Sequence, residues 1–460
     1  MVGLDAGGVA ACHFLRSRGT EVWALGVPGS VAPALEMEGL EEVGIKVLGS
    51  EEALLGISPE IVVLGSNVPL SEPALSPLVS AGIKIVSELE LAARHYSCMP
   101  IAVAGTNGKT TTAELIERML SLSHRTVRKA GGSGLAACGL VPESKNLDYA
   151  ILEVSSFQLE SVELFRPSIA VLLNLKPDHM DHYDRMANYA RTVARLFQNQ
   201  QVFDWAIVQS EALALLHSLG VQIPCKVITF SAANPRADLV LDRGLLVSRL
   251  SGWEGPLLNM GNCRLQGPHQ AENMLAALAV GHVLRLRLEE MVEALQSHEG
   301  GPHRCELVGE VGGVSFVNDS KAMNVEALRR AIESMPGGRI GEPNLWLIAG
   351  GKDKGLDYHD LGPLIAQRVK GTFLLGQTRD KLRAAWSLFT PCTSVDSLEE
   401  AVELASSGAV PGDVVLLSPA CSSLDMFQNY QQRGEVFRTA AQKWMSAQPG
   451  GGKSSSGGTV

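Results

Sequence analysis

The sequence lacks several features that would point to other classes of protein. Aromatic residues make up only 5% of its 460 residues, against 47 glycines, and this profile favours α/β layers over a β-sandwich. The eight cysteines include no CxxC pair, so neither a zinc site nor a disulfide framework is indicated. No apolar run approaches the ~18 residues of a membrane helix, and the amino terminus shows no signal-peptide pattern. We therefore expect a cytoplasmic protein that does not bind membranes.

An excess of basic residues is also missing. The chain has 39 Lys and Arg against 49 Asp and Glu, which gives a net charge of −10. A surface of this sign disfavours general binding to nucleic acids. Any anionic ligand must therefore be held by a local site.

Strand-like runs alternate with helix-like runs, and the pattern restarts after residue 97 and again after the linker-like segment 298–302. Such alternation predicts an α/β protein in which each domain has a mostly parallel, doubly wound sheet. We expect a Rossmann-like domain over 1–97, a P-loop NTPase-like domain over 98–299, a second Rossmann-like domain over 300–447 and a disordered tail over 448–460. The predicted strands include Ile61–Leu64, Ile101–Gly105, Tyr149–Val154, Val314–Asn318 and Val414–Ser418, and the predicted helices include Ala113–Leu122 and Leu288–Gln296.

The sharpest local feature is a glycine-rich turn between a predicted strand and a predicted helix. It reads Gly105-Thr106-Asn107-Gly108-Lys109-Thr110-Thr111. Backbone N–H groups and the helix N-terminus of such a turn can hold phosphate oxygens. Lys109 would then reach the β- and γ-phosphates, and the Thr110 hydroxyl would coordinate Mg²⁺. The alternative is a glycine-rich turn that binds no ligand.

A second glycine-rich turn, Gly3-Leu4-Asp5-Ala6-Gly7-Gly8, precedes a predicted helix over Val9–Arg18, but almost no strand precedes it. A nucleotide-binding turn of the Gly-x-Gly type would have glycine where Asp5 stands. Two interpretations stay open for this turn: it holds a ligand, or it is a packed turn that binds nothing.

Polar side chains follow two further predicted strands, at the edge where a doubly wound sheet places its ligand crevice. An unpaired carboxylate at Glu153 would be unfavourable unless a cation met it, and Mg²⁺ prefers carboxylate, hydroxyl and water oxygens. Thr110 and Glu153 are therefore a candidate pair for a first metal, and His179 could supply a nitrogen ligand to a second. The alternative for Glu153 is a salt-bridged or hydrogen-bonded carboxylate, and Asp181 and His182 are expected on the surface.

These segments resemble the Mur ligases of peptidoglycan synthesis. The resemblance rests on the segments Gly105–Thr111, Leu152–Glu160 and Asp178–Asp181. Within the family, the last third of the chain is similar to the members that add D-glutamate. The segments that carry this second likeness are Asn318–Ala322 with Asn324, Gly350–Lys354, and Leu417–Phe427 with Arg433 and Gly434.

The resemblance implies an ATP-dependent amide ligase that joins D-glutamate to UDP-N-acetylmuramoyl-L-alanine. It implies that the first domain holds the uridine nucleotide, the central domain ATP and Mg²⁺, and the last domain the incoming amino acid. The alanyl carboxylate is expected to attack the γ-phosphoryl group of ATP, and the amine of D-glutamate then attacks the resulting acyl phosphate. We also expect a monomer.

The resemblance further implies roles for individual residues. Lys109, His179 and Lys321 are expected to be catalytic, and Thr110, Glu153 and His179 to bind metal. The ATP-binding residues are expected to be Gly105, Thr106, Asn107, Gly108, Lys109, Thr110, Thr111, Asn273, Arg304 and Asp319. The substrate-binding residues are expected to be Ser155, Ser156 and Gln158 for muramoyl-alanine, and Lys354, Ser423, Leu424 and Tyr430 for D-glutamate.

Four positions depart from the family pattern. Val193 stands where the family has a carbamylated lysine that bridges the metals, and no lysine occurs between Lys176 and Lys226. Met323 replaces a threonine of the glutamate pocket, Ser133 replaces an asparagine of the nucleotide site, and Gly65-Ser66-Asn67 replaces a Ser-Pro-Gly turn. Two alternatives therefore stay open: another Mur or folylpolyglutamate-type ligase, and a degenerate nucleotide-binding protein without turnover.

Overall fold

The computed structural model describes residues 1–28, 30, 39–132, 134–338 and 342–448. The chain forms two compact units, one of Met1–Leu175 with Arg185–His298 and one of Lys176–Asp184 with Glu299–Val460. Ser133 and the expected tail beyond Gln448 lie outside the described residues. The division into three domains stays a prediction, because the first unit contains both of the first two expected domains. In the described part of the chain, no helix combines the length and the apolar character that crossing a bilayer requires.

The first unit opens with four short strands that pair in parallel, β1 with β2 and β3 with β4. Val2 bridges Leu25 of β1 and Leu64 of β3 in parallel, so the first residues of the chain lie between the two pairs of strands. The bounds of these strands are Trp23–Leu25 (β1), Lys46–Leu48 (β2), Ile61–Leu64 (β3) and Lys84–Ser87 (β4).

The larger sheet of the first unit has nine described strands in the order β13-β12-β11-β10-β9-β8-β5-β7-β6. It is parallel from β6 to β11, and β11, β12 and β13 form an antiparallel extension. Because β5 lies between β7 on one side and β8 on the other, the chain changes direction across the sheet at β5. Ligands bind at such a switch point, at the carboxyl ends of the strands. The bounds are Met99–Ala104 (β5), Val127–Gly131 (β6), Tyr149–Glu153 (β7), Ile169–Leu172 (β8), Trp205–Gln209 (β9), Lys226–Ser231 (β10), Leu239–Asp242 (β11), Leu245–Ser248 (β12) and Gly255–Asn259 (β13).

Helices cover the sheets of the first unit and bury their apolar faces on them. The clearest case is the alanine-rich helix α9, whose residues from Met274 to Val280 are buried on all sides, as expected of a helix that is apolar around its whole circumference. The helices of this unit are Ala6–Ser17 (α1), Ser76–Ser80 (α2), Glu88–Ala93 (α3), Lys109–Leu122 (α4), Ala137–Leu140 (α5), Ser156–Glu160 (α6), Met186–Ala194 (α7), Ser210–Ser218 (α8), Pro268–Val283 (α9) and Leu288–Gln296 (α10).

The second unit is built on a six-stranded sheet in the order β14-β15-β19-β16-β17-β18. The β14–β15 hairpin is antiparallel, and the other neighbours are parallel. The strands are Glu306–Val311 (β14), Val314–Asn318 (β15), Leu345–Gly350 (β16), Val369–Leu375 (β17), Cys392–Ser394 (β18) and Val414–Leu417 (β19), and the helices are Val325–Ser334 (α11), Gly362–Arg368 (α12), Arg379–Trp386 (α13), Leu398–Gly408 (α14) and Tyr430–Ala447 (α15). The predicted α/β class with mostly parallel sheets is therefore confirmed.

Candidate functional site

The predicted phosphate loop follows β5 at the switch point of the nine-stranded sheet and leads directly into α4. Gly108 is the residue before the helix, and its backbone is left-handed, with φ of +91°. A Cβ at this position would overlap the Asn273 side-chain oxygen. Glycine is therefore required here both by the backbone conformation and by the close approach of Asn273.

The loop is held by side chains of neighbouring elements. The Asn107 N–H donates to the Asn174 side chain (3.0 Å), and the Asn174 amide donates back to the Asn107 carbonyl (2.9 Å). The Thr106 and Tyr189 hydroxyls lie 3.1 Å apart. The predicted ATP-binding residue Asn273 is buried next to the loop and accepts from the Thr112 hydroxyl at 3.4 Å. The loop is thus preorganised by side chains from the segment after β8 and from α7 and α9.

Lys109 lies against its own loop. Its ammonium group donates to the Gly105 carbonyl (2.6 Å) and to the Thr106 carbonyl (3.1 Å). A lysine at the first position of the helix can exchange these carbonyls for phosphate oxygens, which it binds as a point charge. Its position agrees with the predicted role.

Thr110 and Glu153 meet as predicted. The Thr110 hydroxyl donates to Glu153 Oε2 at 2.6 Å, and Glu153 is only 5% exposed at the end of β7. Among the described residues, no cluster of three or more His, Cys, Asp or Glu could hold a metal. A hydroxyl and a carboxylate are nevertheless the hard oxygen donors that Mg²⁺ uses when its other ligands are phosphate and water.

Lys129 was missed by the sequence reasoning. Its ammonium lies 3.7 Å from Glu153 Oε1 and 3.2 Å from Glu114 Oε1. Lys129 pairs with Ile151 in the β6–β7 ladder. Ile151 is two residues before Glu153, so Lys129 and Glu153 lie on the same face of the sheet. The sequence did contain a signal for this contact, because Lys129 stands close to the end of a strand, just before Ala130 and Gly131. The alternative of a salt-bridged Glu153 therefore holds together with the Thr110 contact.

The expected muramoyl-alanine residues lie at the N-terminus of α6. Ser155 and Gln158 form a capping box, in which the Gln158 N–H donates to the Ser155 hydroxyl (3.3 Å) and the Ser155 N–H donates to the Gln158 side chain (3.0 Å). Gln158 and Ser156 are buried, and Ser155 is half-buried. The Ser155 hydroxyl also lies 3.3 Å from the Ser66 carbonyl. Their substrate-binding role stays a prediction.

In the second unit, Asp319 follows β15 and is buried. Its carboxylate accepts from the Ser418 hydroxyl (2.8 Å) and from the Cys305 N–H (3.2 Å). Burial raises the pKa of Asp319 to about 7, against these hydrogen bonds and the nearby charge of Arg304, which lower it. The predicted nucleotide residues Arg304 and Asp319 are therefore close together.

Lys321 and Tyr430 are also brought together, since the Lys321 ammonium lies 5.2 Å from the centre of the Tyr430 ring. Arg433, part of the motif that suggested D-glutamate addition, is 2% exposed and donates to the Ser320 carbonyl (2.7 Å) and to the Cys421 carbonyl (3.1 Å). Burial lowers its pKa to about 10. Arg433 thereby fixes the two segments that carry Lys321 and Ser423.

The residues expected to bind D-glutamate differ in their exposure and in their partners. Ser423 is 2% exposed, whereas Leu424 is 50% exposed. The Lys354 ammonium lies 2.9 Å from Asp178 Oδ1, and both side chains are nearly buried. This partner was not predicted, because Asp178 is 176 residues earlier in the chain.

His179 belongs to the second unit, where Asp178 and Lys354 lie, whereas Thr110 and Glu153 belong to the first unit. His179 has a left-handed backbone, with φ of +54°, and its Nε2 atom lies 3.8 Å from Asp178 Oδ2. Its metal-binding role stays a prediction. Val193 is 1% exposed on α7, so an apolar core residue occupies the position of the expected lysine, and Met323 is half-buried.

Comparison with known families identifies two matching regions. Residues 103–281 match the Mur ligase middle domain, and residues 303–421 match the Mur ligase glutamate ligase domain.

Curated relatives match over almost the whole chain. The chain is 38% identical to the UDP-N-acetylmuramoylalanine–D-glutamate ligase of Acidobacterium capsulatum, over 95% of this chain and 94% of that protein. It is 36% identical to the enzyme of the same name from Trichlorobacter lovleyi, over 96% of this chain and 98% of that protein.

Solved structures share the fold at lower identity. The UDP-N-acetylmuramate-alanine ligase MurC of Thermotoga maritima is 17% identical, with a TM-score of 0.61 over 97% of this chain and 99% of that chain. The MurF ligase of the same organism, solved in complex with ADP, is also 17% identical, with a TM-score of 0.61 over 94% of this chain and 97% of that chain.

Proposed function

Since this chain belongs to the Mur ligase family, as a UDP-N-acetylmuramoylalanine–D-glutamate ligase of peptidoglycan precursor synthesis, we propose that its phosphate loop binds ATP and that the bound ATP activates the alanyl carboxylate of UDP-N-acetylmuramoyl-L-alanine. The observation that supports this most directly is the meeting of Lys109, Thr110 and Glu153 at the switch point of the nine-stranded sheet. The first of the two open alternatives, another type of ligase, is disfavoured by the whole-length relatives.

The loop supplies the groups that a triphosphate requires. The N-terminus of α4 carries no side-chain cap, so its N–H groups and helix dipole favour phosphate oxygens. Lys109 would exchange its carbonyl contacts for the β- and γ-phosphates. Its positive charge offsets the charge that develops when a carboxylate approaches the γ-phosphoryl group.

Thr110 and Glu153 fit Mg²⁺, because together they offer a hydroxyl and a buried carboxylate 2.6 Å apart. Bound there, Mg²⁺ would neutralise phosphate charge. The bridging ligand of the family is absent at Val193, so a second metal would rely on His179 together with water or phosphate oxygens.

The reaction has two steps. Two anions, the alanyl carboxylate and ATP, are first brought together, and the phosphorylated oxygen is then replaced by the nitrogen of the amine. An oxygen of the alanyl carboxylate attacks the γ-phosphorus and ADP leaves, which gives an acyl phosphate. The neutral amine of D-glutamate attacks the acyl carbon, loses a proton, and inorganic phosphate leaves as the amide forms. Holding the amine against the acyl phosphate is a proximity effect.

In the second unit, Lys354 and Ser423 offer an ammonium and a hydroxyl for the side-chain carboxylate of D-glutamate. Lys354 is already paired with Asp178, so the amino acid would share this lysine with Asp178. Arg304 and Asp319 are proposed to contact the nucleotide, and Lys321 the transferred phosphate. The active species is proposed to be a monomer in the cytoplasm.

The test is phosphate release from ATP with UDP-N-acetylmuramoyl-L-alanine, measured with and without D-glutamate. We expect release that depends on D-glutamate, and a loss of at least about a thousandfold in Lys109→Ala. The exposed Lys226→Ala is the charge-matched control. ATP binding without release would support the degenerate alternative, and full activity in a folded Lys109→Ala variant would contradict the role of the loop.

A further inference from the structure

The glycine-rich turn at Gly3–Gly8 is the one sequence motif to which the proposed chemistry gives no role. It leads into α1, a helix of 12 residues that begins at Ala6. A side chain of the turn itself caps the N-terminus of this helix. That side chain is Asp5.

The Asp5 carboxylate accepts four hydrogen bonds with both oxygens. Oδ1 accepts from the Gly8 N–H (3.0 Å), at the first turn of α1, and from the Ser66 N–H (3.2 Å). Oδ2 accepts from the Asn67 N–H (3.0 Å) and from the Asn67 side-chain amide (3.2 Å). The carboxylate therefore caps α1 with one oxygen and holds the loop after β3, residues 65–67, with both.

One glycine of the turn, Gly7, serves the same contact. A Cβ at Gly7 would overlap the Ser66 hydroxyl, so glycine at this position lets the 65–67 loop lie directly against α1. Backbone bonds add to it, since the Gly65 N–H donates to the Val2 carbonyl at 2.9 Å. The glycine at position 7 is thus explained by close packing of two loops.

The 65–67 loop in turn contacts the predicted muramoyl-alanine residues. The Ser66 carbonyl is 3.3 Å from the Ser155 hydroxyl, and that hydroxyl lies 3.2 Å from the Gln158 side-chain oxygen. A continuous series of hydrogen bonds therefore runs from Asp5 through Ser66 to the capping box of α6.

We propose that Asp5 is a positioning residue, which fixes the 65–67 loop and through it orients Ser155 for UDP-N-acetylmuramoyl-L-alanine. The link to the substrate rests on the proposed function. The carboxylate is a built-in anion that accepts the Gly8 N–H at the start of α1.

Two variants separate the two roles of Asp5, which are to cap α1 and to hold the 65–67 loop. Asp5→Ala loses both the α1 cap and the loop contacts. Asp5→Ser keeps a hydroxyl that can accept from the Gly8 N–H and cap α1, but loses the second oxygen that holds Asn67. We expect both variants to raise the KM for UDP-N-acetylmuramoyl-L-alanine about tenfold, as loss of hydrogen bonds to a charged group does, while the KM for ATP changes less than twofold.

Hydrogen exchange of the free protein gives a readout that needs no turnover. We expect faster exchange of the Ser66 and Asn67 amides in Asp5→Ser, with α1 still protected. If Asp5→Ser restores the wild-type KM and exchange, or if Asp5→Ala changes neither, the proposal is overturned. An inactive wild-type protein would contradict the proposed function instead, and hydrogen exchange would still decide whether Asp5 holds the loop.

Discussion

The two glycine-rich turns of the first unit look alike in the sequence and differ in what fills the start of their helices. At α4 the residue before the helix is Gly108, and the first turn of the helix has no side-chain cap. At α1 the corresponding position is Asp5, whose carboxylate accepts the Gly8 N–H. The helix α1 therefore begins with an acidic side-chain cap, whereas the cap residue of α4 is a glycine.

The two turns also differ in the charged groups that lie beside them. Lys109 and Lys129 supply ammonium groups next to the phosphate loop. The first turn has Asp5 and, within electrostatic range of it, the buried carboxyl of Glu88. Glycine content therefore does not identify an anion site. The residue at the helix cap is what distinguishes the two turns.

The largest effect is expected from giving the phosphate loop the cap of the first turn. Gly108→Asp would place a carboxylate beside the N-terminus of α4, where it repels the triphosphate by several kcal/mol. We expect the Kd for ATP, measured by calorimetry, to rise by at least about a hundredfold.

Gly220→Asp is the matched control for Gly108→Asp. Gly220 also has a positive φ, +76°, but no atom lies within 4 Å of its added Cβ. This variant has a similar left-handed backbone and the same added charge, away from the loop and without the overlap with Asn273, so it should bind ATP normally. Gly108→Asn has the overlap without the charge and should bind ATP more tightly than Gly108→Asp. Equal ATP affinity in Gly108→Asp and Gly220→Asp would show that the turns do not differ in the way described.

A second effect is expected at Glu88, behind the first turn. Burial raises the pKa of Glu88 to about 7, and the charge of Asp5 adds to the rise. Hydrogen bonds from Cys138 and Gln158 lower the pKa but do not outweigh burial. The other titratable groups near Glu88 are Tyr96 and Cys138. Among the described residues the Glu88 Oε2 atom has no hydrogen-bond partner. The folded state thus holds its proton more tightly than the unfolded state, whose Glu pKa is about 4.3. The stability this provides is complete below pH ~4 and is lost as the pH rises through 7.

Glu88→Gln should therefore remain stable where the wild type weakens. We expect its free energy of unfolding, relative to wild type, to rise by up to about 3 kcal/mol between pH 5 and pH 8 in urea titrations. Glu90→Gln is the control of opposite sign. Burial raises the pKa of Glu90, but hydrogen bonds from the N–H groups of Glu163 and Leu164 and from Arg94 outweigh it and leave the pKa lowered. A lowered pKa gives stability that is present above the unfolded Glu pKa of about 4.3 and is lost only as the pH falls below it, so the cost of Glu90→Gln should stay nearly constant between pH 5 and pH 8. Parallel pH curves for both variants would contradict the assignment.

The sequence predicted those parts of the molecule that depend on local pattern. The helix Leu288–Gln296 and the strands Ile61–Leu64 and Val314–Asn318 have the predicted bounds. Buried β-branched runs and helix periodicity are local properties. Thr110 and Glu153 could be paired because the carboxyl ends of neighbouring parallel strands share one edge.

The rest depended on contacts between distant residues. The pairing of Lys354 with Asp178 joins segments 176 residues apart, and nothing local in either segment specifies it. The start of α4 was predicted four residues late, because Lys109 to Thr112 were assigned to the loop rather than to the first helical turn. Asp5 was recognised as a departure from glycine, but its four donors come from two loops that only the fold brings together.

The smallest effect is expected at Lys129, the second ammonium group beside the phosphate loop. Lys129→Met removes an ammonium between Glu114 and Glu153, so a divalent cation at Glu153 should bind about fivefold more tightly, for a gain of about 1 kcal/mol. The measurement is Mn²⁺ binding to the nucleotide-free protein by electron paramagnetic resonance. Arg128→Met is the control, because the exposed neighbour Arg128 pairs with Glu143 instead. Weaker Mn²⁺ binding in Lys129→Met would contradict this. It would mean that Lys129 orients Glu153 for the cation, and that its ammonium acts on the geometry of the site rather than by repelling the cation.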